Sequence, residues 1–365
     1  MMNHPTEEGS AIIIGASLSG LMTAISLAQE GVNVTVLDKV SDKQRTGAGL
    51  KVDSGGLELS KTARLLRKLA SGGKSSVQLW SSIEKRLRNE VEKSSKINLI
   101  YHSRVESIDQ NENYASVMTE AGTHYKTDIL IGADGHRSLV RQYIAPNNPD
   151  ATYAGYIVWI IDPINESIIA KKQDTSHLQT GVQMLSGLNG FMFGSVLDDK
   201  DEEGNRRIGA AWYDNSRTEV LRKVGAVTNN IVNHSLDGLD IPEGLIYELK
   251  QDASNAWPEP FLTATLHALD TRQLTGIPIK EYVPQKLCDG RIAIIGDAAH
   301  VPAPITASGF NESLNDAVAL GKAVSKGIKG SMAINALKTY EADRLNKVKR
   351  MVQSGQSFSR SFGRL

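Results

Sequence analysis

The residues able to do chemistry fall in three short stretches set far apart along the chain. In the last of them, Ile292–Ile295 is a continuous apolar run, the mark of a strand buried on both faces of a parallel sheet. It ends in Gly296-Asp297, so a carboxylate stands where the strand leaves the sheet, the place where open α/β sheets take their ligands. A loop broken by Pro302, Pro304 and Gly309 follows, with His300 inside it. A helix then opens near Asn311, with Leu314, Ala317, Val318, Gly321 and Val324 on one face and its first N–H groups toward the crevice. The first stretch, Ala11–Ile14, is another buried-strand run and leads at once into Gly15-Ala16-Ser17-Leu18-Ser19-Gly20. Gly15 permits a tight turn, Gly20 lets helix and strand approach, and the helix N-terminus suits a pyrophosphate. A second strand, Val34–Leu37, delivers Asp38, placed to accept a hydrogen bond from an adenosine ribose, with Lys39 beside it. The middle stretch, Asp128–Arg141, reads as strand, turn and helix with Asp134-Gly135 in the turn. The chemistry indicated is the binding of a dinucleotide.

These three stretches, in this order, resemble the class A flavoprotein monooxygenases, the para-hydroxybenzoate hydroxylase family. That family carries a GxGxxG turn, a GADGxxSxVR motif, matched throughout at 132–141, and a GDAAHxxxPxxGQGxN motif, matched from Gly296 with Pro304, Gly309 and Asn311 in place. Departures are Ser17 for the middle glycine, Asp38 for Glu, Lys39 where Arg is common, and Ala307-Ser308 for Gly-Gln. The resemblance covers most of residues 10–145 and 285–350.

It implies an α/β fold: an FAD-binding, Rossmann-like (GR2-type) three-layer domain with an inserted antiparallel-sheet substrate domain. It implies FAD as cofactor, NADH or NADPH as co-substrate, and O2. The reaction would be hydroxylation of a small aromatic or heteroaromatic compound through a C4a-hydroperoxyflavin. Cofactor contacts carried over are Gly15, Ser17, Leu18, Ser19, Gly20, Asp38, Lys39, Gly49, Asp134, Gly296, Asp297, Pro304, Gly309 and Asn311. Asp297 would accept from the ribityl hydroxyls, and the Gly47–Val52 segment would run beside the isoalloxazine. Asp134 would hold the backbone along the pyrophosphate and nicotinamide path, and Arg141 would either brace its helix or lie in solvent. Two alternatives stay open: inactivation of a polycyclic drug such as a tetracycline, and a non-catalytic flavin-binding protein.

The rest of the chain must position these groups. At 365 residues it suggests about two domains. We expect a first FAD-binding portion over 1–150, a substrate-binding domain over 151–284, and the second FAD-binding portion with a C-terminal helix over 285–365. Tyr153–Ile161, Gly190–Val196 and Arg207–Tyr213 read as strands, and 217–234 and 243–255 as helices. Residues 104–127 read as a meander and Ser76–Val91 as a helix with Ile83, Leu87 and Val91 on its core face. Pocket candidates are Tyr156, Trp159, Met192, Phe193, Trp212 and Tyr213, of which strand alternation lets only half point inward. The tail Ser354–Leu365 reads as a frayed end. No catalytic acid or base stands out, His300 being a weak candidate.

Forty-one basic and 41 acidic residues cancel without long blocks of one sign, which argues against a nucleic-acid or anionic-membrane partner. The single cysteine, Cys288, forms no internal disulfide and reads as an inert buried thiol in a reducing, cytoplasmic setting. No ligand spacing for a metal is present. Gly9–Gln29 is uncharged but follows an acidic flank and is broken by Gly15, Ser17, Ser19 and Gly20, so it reads as strand and helix, not as a signal peptide. The sequence leaves open the substrate's identity, the coenzyme preference, and whether the chain is a monomer or homodimer.

Overall fold

The computed structural model describes residues 9–40, 49–53, 60–73, 77–171, 174–175, 178–187, 189–197 and 204–363. The apolar runs become parallel strands: β1 (Ser10–Ile14), β2 (Asn33–Leu37), β3 (Ile97–Ile100), β4 (Ile129–Gly132) and, late in the chain, Ile292–Ile294. Their spatial order is Ile292–Ile294, β4, β1, β2, β3, with Cys288–Asp289 antiparallel on the outer edge. The sequence order reverses between β1 and β4, which opens a crevice at their carboxyl ends. Helix α1 (Leu18–Gln29) starts at that crevice, and Trp80–Glu92 buries Ile83, Leu87 and Val91 in the same core, with Trp80 half-buried against it. The three-stranded meander over 105–127 adds Ala115 and Val117.

A second, antiparallel sheet comprises β5 (Thr152–Asn165), β6 (Gly181–Gly187), β7 (Gly190–Leu197), β8 (Arg207–Asp214) and β9 (Leu274–Glu281), in the order β6-β7-β8-β5-β9. Its two faces have different covers. Trp159, Met192 and Trp212 share a core with Leu249 and Phe261 of the helices Glu243–Ala256 and Phe261–Thr271. Tyr156, Val158, Phe191, Tyr213 and Ile279 share the opposite one. With Ile292–Ile294 as β10, α2 (Leu139–Ile144), α3 (Gly309–Val324) and α4 (Ser331–Gly363) complete the parts that matter to the site. α3 lies against α1, where Gly321 leaves room for Ser26: a Cβ there would come within 2.2 Å of its Oγ.

Two expectations need correction, and one helix is added. Residues 217–234 are not one helix: Thr218–Lys223 is helical, then Val227–Thr228 pairs with Ile231–Val232. Asn229 and Asn230, both left-handed (φ 49° and 63°), make the tight two-residue turn between them. The helix Phe261–Thr271 was not read from the sequence at all. The tail is no frayed end. α4 is 33 residues long, tied to the first core by the Tyr340 hydroxyl donating to Ile294 O (2.9 Å) and to the second sheet by Phe358 and Phe362. Gly47 and Ala48 lie outside the described residues, and only Gly49–Leu50 of that segment is strand, paired with Gln78–Leu79. No described helix is long and apolar enough to cross a membrane.

Candidate functional site

The first wall of the crevice is the turn after β1. Gly15 sits at φ +104°, where a Cβ would lie 2.4 Å from Ala133 O, and a Cβ on Gly20 would lie 1.9 Å from Gly15 O. The turn can therefore close only without side chains at these two places. Ser17 precedes α1 without using its side chain as a cap, so N–H groups of the first turn stay open to the crevice. Leu18 is buried and points into the core. Ser19 meets Gly296 from the far end of the chain, its Cβ within 2.8 Å of where a Cβ on Gly296 would stand.

Asp38 is 4% exposed, and its carboxylate accepts from Ala16 N (2.8 Å) and Val40 N (3.0 Å). One methylene shorter than Glu, it folds back onto the turn after β1 and braces it. Lys39 beside it is exposed.

The middle motif proves to be a brace. Asp134 accepts from Ser138 Oγ (2.5 Å), Leu139 N (2.7 Å) and Val140 N (3.3 Å), capping the start of α2. Burial pushes its pKa up, against these hydrogen bonds, which pull it down. Arg141 is buried. It donates to Pro149 O (2.6 Å), Asp297 O (3.1 Å) and Ala298 O (3.1 Å) and lies 4.4 Å from the Tyr282 ring centroid. It thus clamps the turn after β4 to the turn after β10, settling its role as bracing and not solvated.

At that second turn, Gly296 adopts φ +54° and Asp297 is exposed at the carboxyl end of β10. Protein packed around the exposed residue desolvates its carboxylate and raises its pKa against the pull of His300, Lys280 and Arg141. Lys280 is correspondingly lowered to about 8 by burial and Arg137, with Asp297 opposing. His136 falls to about 3, through burial first and then Lys280, Arg137, Arg141 and Lys39, so it is neutral at working pH. The crevice therefore carries a cationic side, Lys280 and Arg137, facing one acidic group.

His300, the weak candidate for a catalytic base, is tied into a buried network. It is fully buried, its Nε2 lies 2.7 Å from Asp316 Oδ2, and that oxygen also accepts from Gly296 N (3.0 Å). Asp316 Oδ1 takes Arg344 Nε at 2.7 Å, and Arg344 also pairs with Glu312. Burial works to raise the Asp316 pKa, but His300 and Arg344 outweigh it and hold it below the usual carboxylate range. The network anchors the Gly296-Asp297 turn to α3 and α4. Beyond it, Pro304 is exposed at the start of a short 3-10 turn, and Ala307 takes the left-handed conformation (φ 48°) that a glycine would adopt without strain. Thr306 and Ser308 hydroxyls staple this loop at 2.6 Å. Gly309 packs under Pro302. Asn311 does not face the crevice freely: its amide accepts from Asp53 N and donates to Lys51 O, both at 3.0 Å, fixing the exposed Gly49 segment against α3.

The pocket candidates divide by strand parity. Tyr156 and Phe193 lie on the face turned toward Ile305 of the 3-10 turn. Trp159 and Trp212, with Met192, lie on the other face under Phe261–Thr271, and the Trp159 indole donates to Asp214 (3.3 Å). They are core residues, which corrects the expectation. Phe191, Phe358 and Phe362 were missed. Phe191 stacks on Tyr213 at 4.5 Å, and Phe362 meets Tyr156 edge-on at 5.2 Å. Their signal was the i,i+4 spacing of Phe358 and Phe362 in an otherwise polar tail. A separate cavity of about 240 Å³, lined by Ser10, Asn33, Lys96 and Lys126, opens at the opposite end of the parallel strands and takes no part in this geometry. Among the described residues no His, Cys, Asp and Glu group is arranged to hold a metal.

A crevice with glycines where side chains would collide, open helix N–H groups and one acid at its far end fits an extended dinucleotide such as FAD, beside a half-buried apolar sheet face. Comparison with known proteins agrees. The model of a family described as "FAD binding domain" matches residues 8–79 and 78–355. The chain belongs to that family and is a class A FAD-dependent monooxygenase. It is 24% identical to a FAD-dependent urate hydroxylase of Klebsiella pneumoniae over 94% of this chain and 87% of the relative. It is 25% identical to a 2,6-dihydroxypyridine 3-monooxygenase of Paenarthrobacter nicotinovorans over 69% of this chain and 64% of that one. In fold it is similar to 2,6-dihydroxypyridine-3-hydroxylase from Arthrobacter nicotinovorans, with a TM-score of 0.74, 17% identity, and coverage of 99% and 94% of the two chains.

Proposed function

We propose that the protein uses NADH or NADPH and O2 to hydroxylate a small aromatic or heteroaromatic ring on FAD. The observation that carries this reading is the juxtaposition of the crevice holding Asp297 with an apolar, half-buried sheet face across Ile305. FAD, when bound, supplies the redox and oxygen chemistry; the chain supplies orientation and a dry wall. Gly15, its N–H donating to Leu37 O at 2.8 Å, would shape the turn, and Ser17, Leu18, Ser19 and Gly20 would leave backbone N–H groups to the pyrophosphate, with Asp38 and Lys39 at the adenosine end. The Asp297 carboxylate would accept from ribityl hydroxyls, and the Gly49, Pro304 and Gly309 backbones would flank the ring system. Lys280 and Arg137 offer positive charge to the phosphates of the reducing nucleotide. Relatives named for urate and for a dihydroxypyridine support a compact ring as substrate.

The test is anaerobic reduction of the bound flavin by NADPH and by NADH, with and without phenols, hydroxypyridines, purines and polycyclic phenols. Bleaching accelerated by one compact ring type supports the reading. Acceleration by polycyclic phenols alone would move it to the drug-sized alternative, and bleaching with neither nucleotide would leave a binding protein.

A further inference from the structure

The wall facing the crevice is built of Phe193, Ala211, Ile277, Ile305, Phe358 and Phe362, all half-buried and all apolar. Half-buried aromatic and aliphatic side chains gathered between two domains mark a place where apolar ligand surface is covered. Two of the six come from the last turns of α4, and four further contacts fix those turns. Gly355 packs on the flavin-side loop, where a Cβ would lie 3.1 Å from Ala303 Cβ and 3.0 Å from Thr306 Cγ2. Ser359 Oγ donates to Glu281 (2.7 Å), and Asn215 Nδ2 donates to Phe362 O (2.8 Å). Gly363 lies against Ala154, a Cβ there reaching 2.2 Å from its carbonyl.

Phe358 and Phe362 stack on each other at 5.2 Å, and both approach Phe191 and Tyr156 edge-on or at an angle. Among the described residues, the charged groups near this wall include Glu281, on which Arg360 acts, and, at the adjoining crevice, Lys280, which acts on Asp297, with Arg137 beside it. Glu281 is bonded to Ser359. Arg207 shares the face by parity but stands six residues from Tyr213 along β8, about 20 Å away at strand rise. A carboxylate seated among these rings would have to draw Lys280 away from Asp297 or lie unpaired, and burying it unpaired is costly.

We propose that Phe358 and Phe362 determine substrate size, and that the site takes an uncharged aromatic ring in preference to its carboxylated counterpart. This rests on the hydroxylase reading above and narrows it. The probes are phenol and 2-naphthol, with 4-hydroxybenzoate and 6-hydroxy-2-naphthoate as their carboxylated partners, titrated into the FAD-loaded protein and read by the change in flavin absorbance. Wild type is expected to bind each uncharged member at least roughly tenfold tighter than its partner. Phe358→Ala and Phe362→Ala are expected to shift the naphthol-to-phenol affinity ratio roughly tenfold toward naphthol. Phe358→Leu and Phe362→Leu, which keep most of the packing, should move it the same way by less, and they decide the matter if the alanine variants do not fold. Carboxylated probes binding as tightly as uncharged ones, or ratios unmoved in FAD-retaining variants, would overturn the assignment while leaving flavin reduction by NAD(P)H intact. A wild type whose flavin neither nucleotide reduces would instead remove the hydroxylase reading, and this narrowing with it.

Discussion

Asp316→Asn is the perturbation that most sharply separates an anchoring role from a chemical one for the His300 cluster. Asp316 is fully buried and holds three partners: Gly296 N at 3.0 Å, His300 Nε2 at 2.7 Å and Arg344 Nε at 2.7 Å. Breaking a buried ion pair by neutralising one member costs about 3–5 kcal/mol, because the remaining charge is left in a poor environment. Here the low end applies. Arg344 keeps Glu312, and the amide oxygen of Asn can still accept one of the three donors. A loss of about 3 kcal/mol at about 2 °C per kcal/mol for a chain of this size lowers Tm by about 6 °C.

The same change loosens the Gly296-Asp297 turn, so FAD retention should fall. The assay pairs differential scanning calorimetry with the flavin-to-protein ratio after desalting, for Asp316→Asn and for His300→Gln. Both variants should melt earlier and leak FAD, yet turn over at near wild-type kcat when FAD is in excess. A His300→Gln protein with unchanged Tm and a kcat lowered a hundredfold or more, the scale of a lost general base, would refute the anchoring argument.

Three further outcomes follow from the geometry. Gly20→Ala puts a Cβ 1.9 Å from Gly15 O, so the turn must open; the variant should fold but fail to retain FAD, as measured by flavin absorbance of the purified protein. Ala307→Gly removes a left-handed penalty of about 1–2 kcal/mol at φ 48° against an unfolded-state cost of about 0.4–1 kcal/mol, so stability should rise by roughly 1 kcal/mol in urea titrations. Lys280, lowered from 10.5 to about 8, is charged below that pH and neutral above it. KM for the reduced nucleotide should therefore climb as pH passes 8, and Lys280→Met should flatten that dependence. The sign for stability is opposite to that of a stabilised lysine: the fold penalises the charged form, so wild type gains on Lys280→Met as pH rises from 8 toward 10.5.

Much of the nucleotide-binding half was legible because its signals are local. Ile12–Ile14, Leu130–Ile131 and Ile292–Ile294 are short unbroken apolar runs, and only a strand buried on both faces wants that pattern. Gly15, Gly20 and Gly296 stand where the backbone leaves no room for a Cβ, a demand that the residue type itself announces. What escaped was orientation. β5 and β8 are buried on both faces, so alternation separates Tyr156 from Trp159 and Trp212 from Tyr213 without saying which set meets the crevice. Trp159 and Trp212 were candidates because their strands could face the crevice, and the helices Glu243–Ala256 and Phe261–Thr271 claimed them for the far core. His300 and Asp38 had suitable chemistry and position, but their partners, Asp316 at 16 residues' distance and Ala16 at 22, are set by tertiary contact. Phe358 and Phe362 hid in a Ser- and Arg-rich tail whose helix exists because both domains bind it.

Oxygen transfer from O2 to a ring is read by turnover under ¹⁸O2 with NADPH or NADH and the ring that accelerates flavin bleaching. The expected product is the hydroxylated ring carrying a single ¹⁸O atom from O2. Nucleotide consumption that yields only hydrogen peroxide, with the ring recovered unlabelled for every compound that binds, would contradict it.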